Sequence, residues 1–431
     1  MTAATLPSSQ ATEPGILARD TAILVFAAFA LAYFLSALVR AVTATLSPTL
    51  SAEFGLDAGD LGLLAGGYFL GFAATQLPLG KWLDRYGPKK VIVAFLAVAV
   101  LGCMAFAWAS SFYGLLLARI VTGAGVSACL MAPLTGYRRW FLPGAQLRAN
   151  SWMLMTGSFG MVAATLPVQW LMPMLGWRGL FWVLAAAILL SMLVIAWAVP
   201  RWQTNAELAP AAPPSASPNP APDKTDQGYA AIWRSQYFRR MAGLGFFNYG
   251  GMVAVQTLWA GPWMVRVAGY TPAEAATGLF LINSFMLCTF WLWGIVNPRL
   301  VQRGVKVETL IRWGLPISFV VLATNIVLGT GTGWLGWALF CVSSTFVSLS
   351  QPAVGMAFPS HMAGRALSAF NLVIFAGVFV VQWGIGLLVD AFRRLGWSEI
   401  ATYQGAMGVF FVACLLAYAY FLFARADNPT P

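Results

Sequence analysis

The chain has 431 residues, of which 59% are hydrophobic and 9% charged, with 19 Trp and 30 Phe. So little charge cannot cover a water-facing globular surface, which excludes a soluble enzyme or binding domain. The net charge of +11 would suit a nucleic-acid partner only if it were gathered on one face, and here it is spread among turns between apolar stretches.

Twelve apolar segments of spanning length begin near Thr21, Gly59, Val91, Phe112, Arg148, Gly179, Met241, Ala275, Val307, Gly333, Arg365 and Thr402. Segments this long and this poor in charge predict membrane-spanning helices, because barrel strands would be short and alternating. With the N-terminus in the cytoplasm, only Arg178, Arg266, Arg393 and Arg394 fall on the opposite side, and the other basic residues of the loops fall on the cytoplasmic one. That asymmetry predicts a multi-pass protein of a bacterial-type cytoplasmic (inner) membrane with both termini inside. Residues 1–20 carry no cleavable-signal pattern and read as a cytoplasmic tail.

Residues 21–199 are expected to form one six-helix bundle and residues 241–425 a second, with a cytoplasmic tail at 426–431. Between the bundles, residues 200–240 hold a Pro-rich linker followed by a short interfacial helix over Tyr229–Arg240, where Trp233 and Phe238 alternate with Arg234 and Arg239. The two halves echo each other. Gly87 and Gly304, Arg148 and Arg365, and Gly160 and Gly377 are each 217 positions apart, as expected of a duplicated six-helix unit. All five cysteines fall within helices and without pairing motifs, the habit of buried free thiols.

The turn after the second helix reads Gly80-Lys81-Trp82-Leu83-Asp84-Arg85-Tyr86-Gly87-Pro88-Lys89-Lys90. It resembles the GxxxDRxGRR signature of the major facilitator superfamily, in the place where that family carries it, with Pro88 where an arginine is common. Arg119 to Gly125 in the fourth helix is similar to a second motif of that family, RxxxGxG. The resemblance implies an all-α integral membrane fold of twelve helices in two pseudo-symmetric bundles around a central cavity. It also implies a cytoplasmic gate at Gly80, Asp84, Arg85 and Gly87, with Asp84 capping a neighbouring helix and pairing with Arg85.

Tyr33, Ser36, Arg40, Thr43 and Ser47 step along the first helix by three, four, three and four residues and so share one face. A polar face holding a permanent cation belongs on a cavity rather than against lipid. At ~1.5 Å per residue, Arg40 lies roughly 10 Å beyond the middle of its helix and Arg119 roughly 6 Å before the middle of its own. The two are therefore expected to meet at one depth and converge on one anion. Gln256 and Trp259 on the seventh helix, with Asn248, Met252 and Trp263, and Ser344, Ser348 and Gln351 on the tenth supply hydrogen bonds and an aromatic wall.

Arg40 precedes Pro48 by eight residues, a spacing similar to that of organophosphate antiporters and related carboxylate transporters of the superfamily. Asn248 and Gln256 stand where the phosphate-ester antiporters carry a second arginine, which favours a smaller or singly charged anion. No buried Asp, Glu or His suited to carrying a proton is evident, Asp60 and Asp390 at helix ends being the nearest candidates. A secondary active transporter of a small organic or inorganic anion, with a carboxylate foremost, is the expected function. A drug or hydrophobic-compound exporter is the alternative, and a non-transporting membrane receptor or assembly factor is the alternative of another class. A monomer is expected, with its solute and the bilayer as partners. No nucleophile–base set, metal cluster or cofactor motif appears, so neither enzyme activity nor metal nor cofactor is expected.

Overall fold

The computed structural model describes residues 16–201 and 225–424. The two tails and most of the Pro-rich linker therefore lie outside the described residues. Among the described residues, nine helices are long and apolar enough to cross a membrane. Three further crossings complete the predicted set of twelve: the helix Ala58–Ala74, the helix Pro143–Ala163 and the broken helix over 236–266.

The sequence dictates where long helices turn back. The helix Gln76–Trp108 is interrupted at Gly87, which has φ of 76°, and the helix Leu166–Ala198 at Gly176, with φ of 61°. A positive φ is strained for any residue with a Cβ, so glycine at these points lets one continuous helical stretch become two crossings. In chain order the spans are 19–54, 58–86, 88–108, 112–140, 143–175, 177–198, 236–266, 272–302, 307–328, 334–356, 360–394 and 399–423.

The duplication read from the sequence is present in backbone geometry. Gly304, the counterpart of Gly87, turns with φ of 77°. Gly160 lets span 5 lie directly on the Phe34 carbonyl of span 1, and its counterpart Gly377 lets span 11 lie on the Phe246 carbonyl of span 7. Helices in lipid gain nothing from hiding apolar surface from one another, so close backbone approach at small residues is what holds them.

Two readings are corrected. The segment over Tyr229–Arg240 is not one helix: it breaks at Ser235 between the helices Thr225–Arg234 and Gln236–Gly243, and the Ser235 hydroxyl caps the second by accepting from Phe238 N at 3.4 Å. Arg240, expected at an interface, is buried and its Nε donates to the Phe421 carbonyl. Of the five cysteines four are buried, and Cys288 is exposed on span 8.

Span 7 is irregular, with π-helical turns at Leu244–Tyr249 and Val255–Trp259. Each widened turn rotates the side chains that follow it. Span 10 similarly tightens to a 3₁₀ turn over Thr345–Leu349.

A side chain at Gly377 would collide with backbone rather than with a flexible neighbour. Gly377→Val should therefore lower the thermal stability of the purified protein by about 1–3 kcal/mol, the usual cost of overpacking, as measured by its melting transition in detergent. A valine at half-buried Gly408, which has nothing within 4 Å of its Cβ position, serves as the neutral comparison.

Candidate functional site

One cavity of about 850 Å³ lies between the two six-helix halves. The first half contributes Tyr33, Ala37 and Arg40 from span 1 together with parts of spans 2, 4 and 5; the second contributes parts of spans 7, 8, 10 and 11. The cavity runs from Arg40 out to Lys81, Asp84, Arg138 and Arg365, on the face of the molecule that holds the turn between spans 2 and 3. That face, where span 1 begins and span 12 ends, is called the terminal face here, and its opposite the far face.

The far face is closed by span 2 packing against span 11. Phe72 and Phe375 meet with ring centroids 4.3 Å apart, and the seam continues outward through Gly66 against Phe379 and Gly62 against the Gln382 backbone. Beyond the phenylalanines towards the terminal face the two helices part, and Gln76, Leu79 and Ser368 line open space.

Arg40 sits where the helices part. Its guanidinium lies 5.8 Å from the centre of the Phe72 ring and 5.9 Å from that of Phe375, one ring from each half. Tyr33, Tyr68 and Tyr249 are its polar neighbours. Its Nε has no hydrogen-bond partner, and none of the ion pairs among the described residues includes it. The aromatic faces attract the cation but cannot accept hydrogen bonds in its plane.

The predicted residues divide into two groups. Tyr33, Arg40, Gln256, Ser348 and Gln351 line the cavity, as does Met252. Gln256 Nε2 donates to Asn283 Oδ1 at 3.0 Å and Gln351 Nε2 to Asn371 Oδ1 at 2.6 Å, so two amide pairs face the space from the second half. Ser36, Arg119, Trp259 and Ser344 are buried away from it. Trp259 Nε1 donates to the Gln382 carbonyl at 3.0 Å, inside the far-face closure, and Asn248 Nδ2 points to the Cys414 carbonyl of span 12 at 3.4 Å.

Arg119 does not converge with Arg40 on open space. It is fully buried, its Nη1 donates to the Val39 carbonyl at 3.0 Å, and its guanidinium lies 5.1 Å from the Tyr68 ring. It therefore acts on the backbone next to Arg40, and Tyr68 in turn donates to the Ser36 carbonyl at 3.2 Å. Gly80 and Asp84 line the mouth of the cavity. Arg85 pairs with no described carboxylate and lies over the Tyr86 ring at 5.2 Å, while the cations that act on the Asp84 carboxylate are Arg365 and Arg138, so the expected pairing of Asp84 with Arg85 is absent.

Tyr249, Asn283, Phe290 and Trp293 also line the cavity. Asn283 carried a polar signal in an apolar segment. Tyr249 carried none, because the π turn that rotates it inward leaves no mark in the spacing.

A helical membrane protein with two related halves and a cavity between them, open to one face, has the build of a secondary transporter. The family model of the Major Facilitator Superfamily matches residues 29–382, and the chain belongs to that superfamily. It is 33% identical over 385 residues to the inner membrane transport protein YajR of Escherichia coli K12, covering 86% of this chain and 76% of that one. It is 22% identical over 391 residues to the 4-hydroxybenzoate transporter PcaK of Acinetobacter baylyi, covering 83% and 85%. Among solved structures, a bacterial homologue of the human lysosomal transporter Spinster, inward-facing and unoccupied, superimposes with a TM-score of 0.75 at 17% identity over 95% of this chain and 98% of that one.

The two serines of span 10 test the placement of the cavity. In a Cys288→Ser background, Ser348→Cys should react with a membrane-impermeant thiol reagent applied from the terminal face, and Ser344→Cys should stay at least about tenfold slower, since burial withholds both the thiolate and the reagent. Labelling followed by mass spectrometry measures both.

Proposed function

We propose that this protein is a secondary transporter that carries a small, singly charged organic anion, a carboxylate, across the cytoplasmic membrane by alternating access. The carrying observation is Arg40: a permanent cation at the inner end of the cavity, with no carboxylate partner among the described residues and an unpaired Nε. A guanidinium withdrawn from water gains most from a planar anion that takes two of its donors at once. Fully ionised phosphate esters are the less favoured class, because among the described residues no second cation lines the cavity near Arg40; Lys81, Arg138 and Arg365 are at the mouth.

The rest of the cavity suits an organic body. Met252, Met286, Phe290 and Trp293 supply apolar and polarizable surface, and the Gln256–Asn283 and Gln351–Asn371 pairs offer polar contacts from the second half. The name of the similar 4-hydroxybenzoate transporter supports a carboxylate with an apolar body. The same Met- and aromatic-rich lining is what favours the second reading, an exporter of hydrophobic compounds. The two readings differ in whether transport depends on a charge at Arg40.

The distribution of basic residues supports a cytoplasmic terminal face. The cavity is then inward-open, with Asp84 at its parted rim and free to latch when that side closes.

Arg40→Gln should weaken binding of the transported carboxylate roughly 30-fold or more, equivalent to ~2 kcal/mol for lost charge-assisted hydrogen bonds, with the folded protein retained in the membrane. Arg119→Met, which alters a residue outside the cavity, should change equilibrium affinity by less than about threefold. A thermal-shift screen against mono- and dicarboxylates, phosphate esters and cationic dyes, followed by uptake into proteoliposomes, tests this. Undiminished carboxylate transport by the Arg40 variant would overturn the anion site, and Arg40-independent efflux of dyes would favour the exporter.

A further inference from the structure

The start of span 2, at the far face, is capped by the wrong half of the molecule. Asp57 occupies the N-cap position of the helix Ala58–Ala74, the position from which a carboxylate ordinarily accepts the first free N–H groups, yet its side chain makes no cap bond. Asp390, at the far end of span 11 in the second half, takes that place. Its Oδ2 accepts from Gly59 N at 2.6 Å and its Oδ1 from Ala58 N at 3.2 Å. Arg393 holds the carboxylate at 3.0 Å and is itself held by both oxygens of Glu399. Just below, Gly386 lies against the Ala58 carbonyl, so the two helices touch backbone to backbone.

We infer that Asp390 is a positioning residue that latches the far face shut, and that Asp57 is its competitor, taking over the cap of span 2 when that face opens. Ala58, Gly59 and Asp57 move with the first half and Asp390 with the second, so parting the halves at this face must break both bonds. A helix start carries partial positive charge and unsatisfied donors, and it attracts whichever carboxylate is in reach. Asp57, exposed and already at the N-cap, needs only a side-chain rotation to satisfy the same donors. Asp60, in the first turn, stays with its own helix in either arrangement, so one N-cap place contested by Asp57 and Asp390, one from each half, gives a switch with two defined positions. The inference rests on the two-half fold and stands whether the solute is an anion or a hydrophobic compound.

The test measures distances at both faces of the purified full-length protein by double electron–electron resonance, in a Cys288→Ser background. Spin labels at Ala52→Cys and Leu395→Cys report the far face, and labels at Lys90→Cys and Gly364→Cys the terminal face. Asp390→Asn keeps the shape of the side chain and removes its charge. It should raise the ratio of far-open to far-closed molecules about tenfold, with the terminal-face distance shortening in the same molecules. Gly59→Ala, whose methyl would stand 2.8 Å from Asp390 Oδ2, attacks the contact from the other half and should shift both faces in the same direction. Adding Asp57→Ala to Asp390→Asn removes the competing cap and should return the distribution towards that of the parent. Far-face opening without closure of the terminal face would mean general loosening and would overturn the latch, as would unchanged distances in both the Asp390 and Gly59 variants. If Asp57→Ala increases opening instead of reversing it, the competition between the two carboxylates is refuted.

Discussion

The close approach of span 2 to span 11 is the contact on which the remainder of the arrangement depends. These helices belong to different halves, and over their outer portions they meet backbone to backbone at Gly62 and Gly386, with the Phe379 ring seated on Gly66 between them. Such contact is rigid and short-ranged: it holds while the backbones touch and is lost once they part. The two helices touch towards the far face and part towards the terminal one. The cavity is the space left by that divergence, and its closed end is set by the last large side chains in the seam, Phe72 and Phe375. Arg40 owes its depth and its aromatic flanks to the same point of divergence.

Two arginines within the spans illustrate how environment divides one residue type between two tasks. Arg119 has a backbone acceptor and an aromatic face and no route to the cavity, so its charge is spent inside the first half, steadying span 1 at Val39. Arg40, the next residue along, has only rings and tyrosine hydroxyls around it and open space in front. Buried charges are costly unless paired, and a cation left without a counter-ion beside a solute-sized cavity has its pairing still to make. The separation leaves Arg119 a structural part, steadying the backbone from which Arg40 projects, and gives the cavity to Arg40 alone of the two.

Much of the fold was legible because membrane helices leave a strong mark in composition. The starts predicted at Phe112 and Val307 coincide with helix starts, and Gly87 and Gly304 announced paired turns through their place in a repeated motif. Side-chain direction was legible only where a helix is regular. Steps of three and four along span 1 correctly put Tyr33 and Arg40 on one cavity-facing stripe, yet Ser36 on that stripe is covered by its neighbours. In span 7 the same arithmetic put Met252 and Gln256 on the cavity but misplaced Trp259 and passed over Tyr249, the last residues of the two π turns, where the backbone departs from regular helical phase without any local sequence signal.

Asp390 marks the other limit of sequence reading. Its position at a helix end was plain, and a carboxylate there is unremarkable on its own helix, since Arg393 follows three residues later. What no spacing could reveal is that the donors it satisfies lie 331 and 332 positions away, on a helix that already carries an N-cap aspartate of its own. Local rules assign Asp57 that place, and the structure gives it to Asp390. A departure of this kind, where a good local solution is passed over for a distant one, carries meaning in a protein built of two halves that must move apart. The local cap survives any rearrangement, whereas the distant cap exists in one arrangement only, and a bond of the second sort is what distinguishes the two states in energy.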